Sequence, residues 1–292
     1  MARVIGDIPT DPGHAFLVLA HTDPAMFNHL TQALADSGKV YVHLDAKSDP
    51  KGWGRDPRVQ FLENQIPVFW GDWSVCEATL RLMEAALRDP NIRRLTLVTG
   101  SHYPIRSSAD LVRRGQQAGN VIASIVAPFR EEGKGEERFR HRFVRSRNPQ
   151  GILFKGKNAL VRRLAPTLRY EPLVNANTGL RAGSQFWSLD RDAAEHVVAR
   201  ARSGDPLVRY FQKIACPDES FFATLVAEID PEVQQHGTTY AKWASGMHPQ
   251  PITLEDIQGA IETTDFWFAR KFSWGSDSHL LQQLDEDLTQ PN

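Results

Sequence analysis

Cysteine is scarce in this chain of 292 residues: only Cys76 and Cys216 occur, in no metal-binding spacing. That count argues against a disulfide framework or a thiolate metal centre, and it fits a reducing compartment. Long apolar runs are missing as well. Nothing reaches the roughly 18 consecutive apolar residues of a membrane span, and MARVIGDIPTDPGH at the start lacks the apolar core of a signal peptide. The expected location is therefore the cytoplasm, with peripheral membrane contact left open. Glycine motifs are absent too: there is no G-x-G-x-x-G after the first strand, no G-x-x-x-x-G-K-[ST] and no G-x-S-x-G. Dinucleotide, P-loop and hydrolase-elbow readings lose their support with them. The ten histidines are scattered with no H-E-x-x-H, and no D-x-D follows a strand in the first half. A diphosphate bound here would have to be neutralised by cationic side chains instead of a metal ion, so no metal cofactor is expected.

Charge of one sign is missing locally. Residues 138–170 carry ten Lys/Arg and no Asp or Glu, although the whole chain has a net charge of −1. The global balance recruits neither nucleic acid nor membrane, whereas this one segment favours an anionic ligand or surface. A solvated basic face balanced by acids elsewhere is the alternative.

Apolar content of 41% and charged content of 24% are those of an ordinary globular protein. The first 130 residues alternate apolar runs with amphipathic ones, which predicts an α/β fold with a largely parallel sheet. Strands are expected at 14–20, 39–44, 59–62, 94–98 and 120–126. A helix is expected at 24–37 and another at 75–88, the latter opened by a Ser74-x-x-Glu77 capping box. From 129 to 177 the periodicity fades and a long irregular connection is expected. Order returns in a strand at 183–189, a helix at 191–202 capped by Asp190, a helix from about residue 217, and helices at 254–262 and 276–288.

In open α/β sheets ligands bind beyond the carboxyl ends of the strands, so the polar strand tips are the first candidates: His21, Asp45 and Ser101. Asp45 fits a ribose or base contact and equally a turn cap. In TGSHYPIRS, His102 and Tyr103 also follow a buried strand and are expected to face the cleft. Trp70 and Trp73 flank Gly71 in VFWGDWS and suit stacking on a sugar, although core packing is the commoner use of tryptophan. Asp218 and Glu219 in CPDESFF fit a helix first turn or a general base. TDFWFARKFSW, residues 264–274, sets Arg270 and Lys271 among five aromatic side chains. Two cations so placed fit a clamp on a diphosphate.

Taken together, YVHLDAKSD, FWGDWSVCEATLRLMEAAL, TGSHYPIRS, KGEERFRHRF, GSQFWSLDR, PDESFFATLV, HPQPITLEDI and FARKF resemble one glycosyltransferase family. It comprises the core-2/I-branching β-1,6-N-acetylglucosaminyltransferases and the related peptide O-xylosyltransferases, and the resemblance runs from about residue 14 to 288. It implies a single GT-A-type, Rossmann-like α/β domain over 1–292. Its nucleotide-binding half would span about 14–130, a basic acceptor-side region 131–182, and a donor and catalytic half with the C-terminal helix 183–288. It further implies an inverting, metal-independent enzyme moving a sugar from a UDP-sugar to a carbohydrate or glycoconjugate hydroxyl.

The resemblance implies that Asp45 contacts the uridine, that Lys271 neutralises the donor diphosphate and that Arg138 binds the acceptor; joined with the residue reading, the expected donor-binding set is His21, Asp45, Ser101, Gly183, Ser184, His248, Arg270 and Lys271. His248 stands where branching enzymes have a second phosphate-binding arginine, which makes that contact weaker or pH-dependent. The acceptor-binding set is Trp70, Trp73, His102, Tyr103, Arg138 and Gln185. No acid lies between Asn175 and Ser184, where branching enzymes keep their base, so Glu219 and Glu171 are both candidates. A bacterial enzyme of surface or exported polysaccharide synthesis is the expectation. Two other readings stay open: a catalytically silent sugar-nucleotide or polysaccharide-binding protein, and a basic-surface protein docking anionic lipid or nucleic acid through 138–170.

Overall fold

The structure is a computed structural model. It describes residues 13–289 except 55, 120, 127–136, 145–151, 175–178, 231–236 and 244–248. In chain order the elements are β1 (His14–Ala20), α1 (Pro24–Ala35), β2 (Lys39–Leu44), β3 (Val59–Phe61), α2 (Ser74–Leu87), β4 (Arg94–Thr99), β5 (Tyr103–Pro104), α3 (Ser108–Gln117) and β6 (Val121–Val126). There follow α4 (Glu137–Arg140), α5 (Ile152–Leu164), β7 (Ala182–Asp190), α6 (Arg191–Arg202), α7 (Pro206–Phe211), a 3₁₀ turn (Pro217–Glu219), α8 (Phe221–Ala227), β8 (Thr239–Ala241), α9 (Leu254–Thr263), β9 (Phe268–Arg270) and α10 (Trp274–Thr289).

Six strands form the central sheet in the order β3-β2-β1-β4-β7-β6. The first four run parallel, and β7 enters antiparallel to both β4 and β6. The continuous apolar run of β1 follows from burial on both sheet faces: all seven of its residues are buried. Ala15, Leu17 and Leu19 point into one apolar cluster with α2, α6 and α8. Phe16, Val18 and Ala20 point into the other, which holds residues of α1, α9, α10 and β9. Burying one such side chain contributes about 2 kcal/mol, so the alternation fixes the register of the strand.

A second, three-stranded sheet, β5-β9-β8, stands beside the first and carries the FARKF segment. Asp190 caps α6 through the Ala193 N–H at 2.9 Å, and Thr253 with Asp256 forms a full capping box on α9.

Three expectations are corrected. The Ser74–Glu77 box does not form: Asp72 accepts the Ser74 N–H at 2.7 Å and the Ser74 hydroxyl as well, and so takes over the start of α2. The helix expected from residue 217 divides into the 3₁₀ turn and α8. The stretch 129–177, expected to be irregular, contains α4 and the thirteen-residue α5, whose apolar positions are diluted by Lys, Arg and Gly. Among the described residues no helix is long and apolar enough to cross a membrane.

Candidate active site

The parallel strands deliver three polar tips to one end of the sheet, and antiparallel β7 begins at that same end. His21, Asp45, Ser101 and the start of β7 at Gly183, Ser184 and Gln185 therefore share one rim. Asp45 is fixed to its neighbour by its backbone N–H, which donates to the Ala20 carbonyl at 2.8 Å. Its carboxylate, nearly buried, accepts the Lys47 N–H at 2.9 Å and the Val68 N–H at 3.3 Å, and pairs with the Lys47 ammonium. The turn-capping role is thus built in, and Asp45 presents a pre-ordered carboxylate at the rim. Burial pushes the pKa of His21 down. The carboxylate of Asp45 opposes this, and the charges of Lys271 and Lys47 add to it.

Lys271 reaches this rim because both flanks of FARKF are anchored. On one side β9 pairs with β5, Tyr103 opposite Ala269, and with β8, Ala241 opposite Arg270. On the other, buried Phe272 donates its N–H to the Ser101 carbonyl at 3.0 Å. One residue further, Asp23 accepts from the Ser273 hydroxyl at 3.0 Å and the Trp274 N–H at 2.8 Å. The other oxygen of Asp23 caps α1 through Met26 N–H at 3.1 Å. Lys271 itself is exposed between these ties.

Arg270 is buried for most of its length. Its guanidinium lies 4.7 Å from the centroid of the Phe186 ring, and its Nε has no hydrogen-bond partner. Burial lowers its pKa to about 10. Among the described residues, no carboxylate pairs with Arg270 or Lys271. A poorly solvated guanidinium stacked on a ring, with no carboxylate beside it among the described residues, is a ready receptor for an anion.

His102 and Tyr103 are not brought to the cleft as expected. His102 is fully buried, its Nδ1 bonded to the Thr99 hydroxyl at 2.9 Å, and its ring packs edge-on to Phe186 at 4.4 Å. Burial, then the charge of Arg270, holds its pKa well below the ordinary range, so it is a neutral support beneath Phe186. Tyr103 is stacked on His29 at 4.9 Å and donates its hydroxyl to Asp285 of α10, on the α1 side of the sheet. Of the two tryptophans, Trp73 packs edge-on against Phe221 at 4.9 Å and serves the core. Trp70 is 60% exposed and free to stack on a ligand.

The two acids considered as bases sit on opposite sides of α4. Arg138 donates Nη1 to Glu219 at 2.9 Å, whereas Arg140 pairs with Glu171 at 2.5 Å. Residues two apart on a helix diverge by roughly 200°, so the two pairs face away from each other. Glu219 closes the 3₁₀ turn that packs on β7, the strand whose first residues line the rim. Arg138 keeps two buried nitrogens, Nε and Nη2, without partners. Glu171 is half exposed; hydrogen bonding to its own backbone N–H, then Arg140, lowers its carboxyl pKa and makes it a weaker proton acceptor. His248 lies outside the described residues.

Phe186, Asp23 and Lys47 had not been singled out from sequence. Only Asp23 carried a signal, an Asp directly before Pro24 at a helix start.

A mostly parallel sheet with β7 crossing it, and charged tips on one rim, defines a fold of the GT-A type. The family model for Core-2/I-branching enzymes matches residues 14–261, and the chain belongs to that family. Its similarity to individual relatives is lower. It is 24% identical over 223 residues to a beta-1,3-galactosyl-O-glycosyl-glycoprotein beta-1,6-N-acetylglucosaminyltransferase of Bovine herpesvirus 4 (strain LVR140), covering 72% of this chain and 46% of the relative. Over 221 residues it is 24% identical to the proteins named beta-1,3-galactosyl-O-glycosyl-glycoprotein beta-1,6-N-acetylglucosaminyltransferase 3 of Ovis aries and Bos taurus, with the same coverage. The chain spans about half the length of the curated relatives it matches.

Proposed function

We propose that this chain is a glycosyltransferase that moves a sugar, GlcNAc or xylose, from a UDP-sugar to an acceptor hydroxyl with inversion and without a metal ion. GlcNAc is the sugar in the names of its relatives. Xylose rests on the likeness of PDESFF to the xylosyltransferases. The observation that carries the reading is the pair Arg270 and Lys271, held at the strand tips with no carboxylate partner among the described residues.

In the proposed reaction the acceptor oxygen attacks the anomeric carbon from the face opposite the leaving group. A carboxylate, Glu219 in preference to Glu171, takes the hydroxyl proton as the new carbon–oxygen bond forms. The bond from the anomeric carbon to the β-phosphate oxygen breaks, and its electrons leave with UDP. Arg270 and Lys271 stabilise the charge that develops there, the electrostatic service a metal ion supplies elsewhere. Asp45 and His21 fit the uridine end, Ser101, Gly183 and Ser184 the sugar end. Trp70, Gln185 and Arg138 fit the acceptor. A role in bacterial polysaccharide or glycoconjugate synthesis belongs to the same proposal.

The pairing of Glu219 with Arg138 favours one second reading, a binding protein of this fold without turnover. A donor-hydrolysis screen over UDP-sugars separates the two. Slow release of free sugar from one donor, insensitive to EDTA, supports the transferase; UDP binding with no release and no transfer to any acceptor supports the silent protein.

A further inference from the structure

Helix α5 carries a surface that the sugar chemistry does not use. Leu160 and Leu164, one turn apart on the same face, are 56% and 72% exposed. Lys157 and Arg163, also exposed, lie roughly 60° to either side of Leu160 around the helix axis. The opposite face turns inward: the Asn158 side chain accepts the Val144 N–H at 3.1 Å, and Val161 and Ala165 are half buried.

Residues 138–170, which include α5, hold ten of the 34 Lys/Arg of the chain and none of its 35 Asp/Glu. Two of these cations are paired, Arg138 with Glu219 and Arg140 with Glu171, while Lys157 and Arg163 add positive charge to the exposed side of α5. An apolar stripe bordered by cations, on a helix too short to span a bilayer, matches the interface of an anionic membrane in both its halves. A soluble polyanion would use the cations and leave the leucines in water.

We propose that α5 lies in the plane of an anionic phospholipid bilayer, with Leu160 and Leu164 among the acyl chains and the flanking Lys and Arg on headgroup phosphates. The arrangement also joins this surface to the site. After α5 the chain returns to α4, where the Leu168 N–H donates to the Arg140 carbonyl at 2.8 Å, and α4 carries the Arg138 that holds Glu219. Ahead of α5, Phe143 abuts Gly71 beside exposed Trp70. An acceptor presented at the membrane surface would thus lie close to Arg138, the partner of the candidate base Glu219.

The test is sedimentation of the full chain with phosphatidylcholine vesicles, with and without phosphatidylglycerol, at low and high salt. The expected result is partition onto the anionic vesicles alone, reduced by salt. Leu160→Ser with Leu164→Ser should lower that partition about tenfold or more, while the thermal melt and donor hydrolysis in solution stay as in the parent. Arg163→Glu with Lys157→Glu should lower it too. The proposal is overturned by equal partition of parent and leucine variant, by no preference for anionic vesicles, by RNA binding as tight as vesicle binding in both proteins, or by a parent dimer that the leucine variant loses. The vesicle, RNA and oligomer readouts need no sugar nucleotide, so failure of the membrane proposal and failure of the proposed reaction are distinguishable.

Discussion

Arg270 rests its guanidinium on the ring of Phe186 at 4.7 Å, and the fully buried His102 packs edge-on to the same ring at 4.4 Å. Charge this poorly hydrated normally has a carboxylate beside it, and here the described residues offer none. Phe186→Leu keeps apolar volume but removes the ring face, and should cost under about 1.5 kcal/mol of stability. It should weaken UDP affinity several-fold through the lost cation–π contact, worth about 0.5–2 kcal/mol. Calorimetric titration with UDP, beside a denaturant melt, checks both numbers.

The split between the two acids gives a kinetic prediction. Glu219→Gln should reduce kcat by about 10²–10⁴, the usual contribution of a general base. Glu171→Gln, whose carboxylate is half exposed and bound to Arg140 on the far side of α4, should change kcat by no more than a few-fold. Parent rates in both variants would remove both acids from the base role.

Asp23 joins the start of α1 to the start of α10 and so fixes one flank of Lys271. Asp23→Ala should cost about 1–2 kcal/mol, the loss of a helix cap, and should also lower kcat/KM because Lys271 loses an anchor. A stability loss with unchanged kcat/KM would show that the Phe272–Ser101 bond suffices.

Acid should destabilise this fold earlier than carboxylate titration alone would. His14, fully buried and bonded through Nε2 to the Thr96 hydroxyl at 2.7 Å, has its pKa lowered from 6.5 to about 3, by burial first and the charge of Arg94 second. Above pH 6.5 it is neutral in both folded and unfolded chains and carries no pH dependence. Between pH 6.5 and about 3 the unfolded chain binds a proton that the folded chain refuses, so stability falls by up to about 1.4 kcal/mol per unit. His102 acts in the same direction. Melting temperature against pH should decline from about 6.5 downward, and His14→Phe should flatten part of that decline; superimposable curves would refute the assignment.

Much of the architecture was legible because burial on two faces writes itself as continuous apolar runs. β1 and β2 were read to their ends, and α6 likewise, since Asp190 supplies its cap. The helix α5 was not legible, because its exposed leucines and dense cations blur the helical period that a core-facing helix shows. Within the site, strand-tip residues such as Asp45 and the Arg270–Lys271 pair could be found from chain position and charge. Tyr103 and His102 misled for a physical reason. Polar residues after a strand turn inward when a hydroxyl or carboxylate, Thr99 or Asp285 here, satisfies them inside. Phe186 could not be singled out, because an aromatic inside GSQFWSL reads as core whether or not a cation lies on it.

The central claim is that Arg270 and Lys271 receive the donor diphosphate. Its most direct test compares UDP with uridine as ligands of the parent and of the Arg270→Ala/Lys271→Ala variant, by titration calorimetry in the presence of EDTA. The parent should bind UDP far more tightly than uridine, and the variant should bind both with nearly the same affinity as the parent binds uridine. A variant that keeps the full preference for UDP would contradict the account.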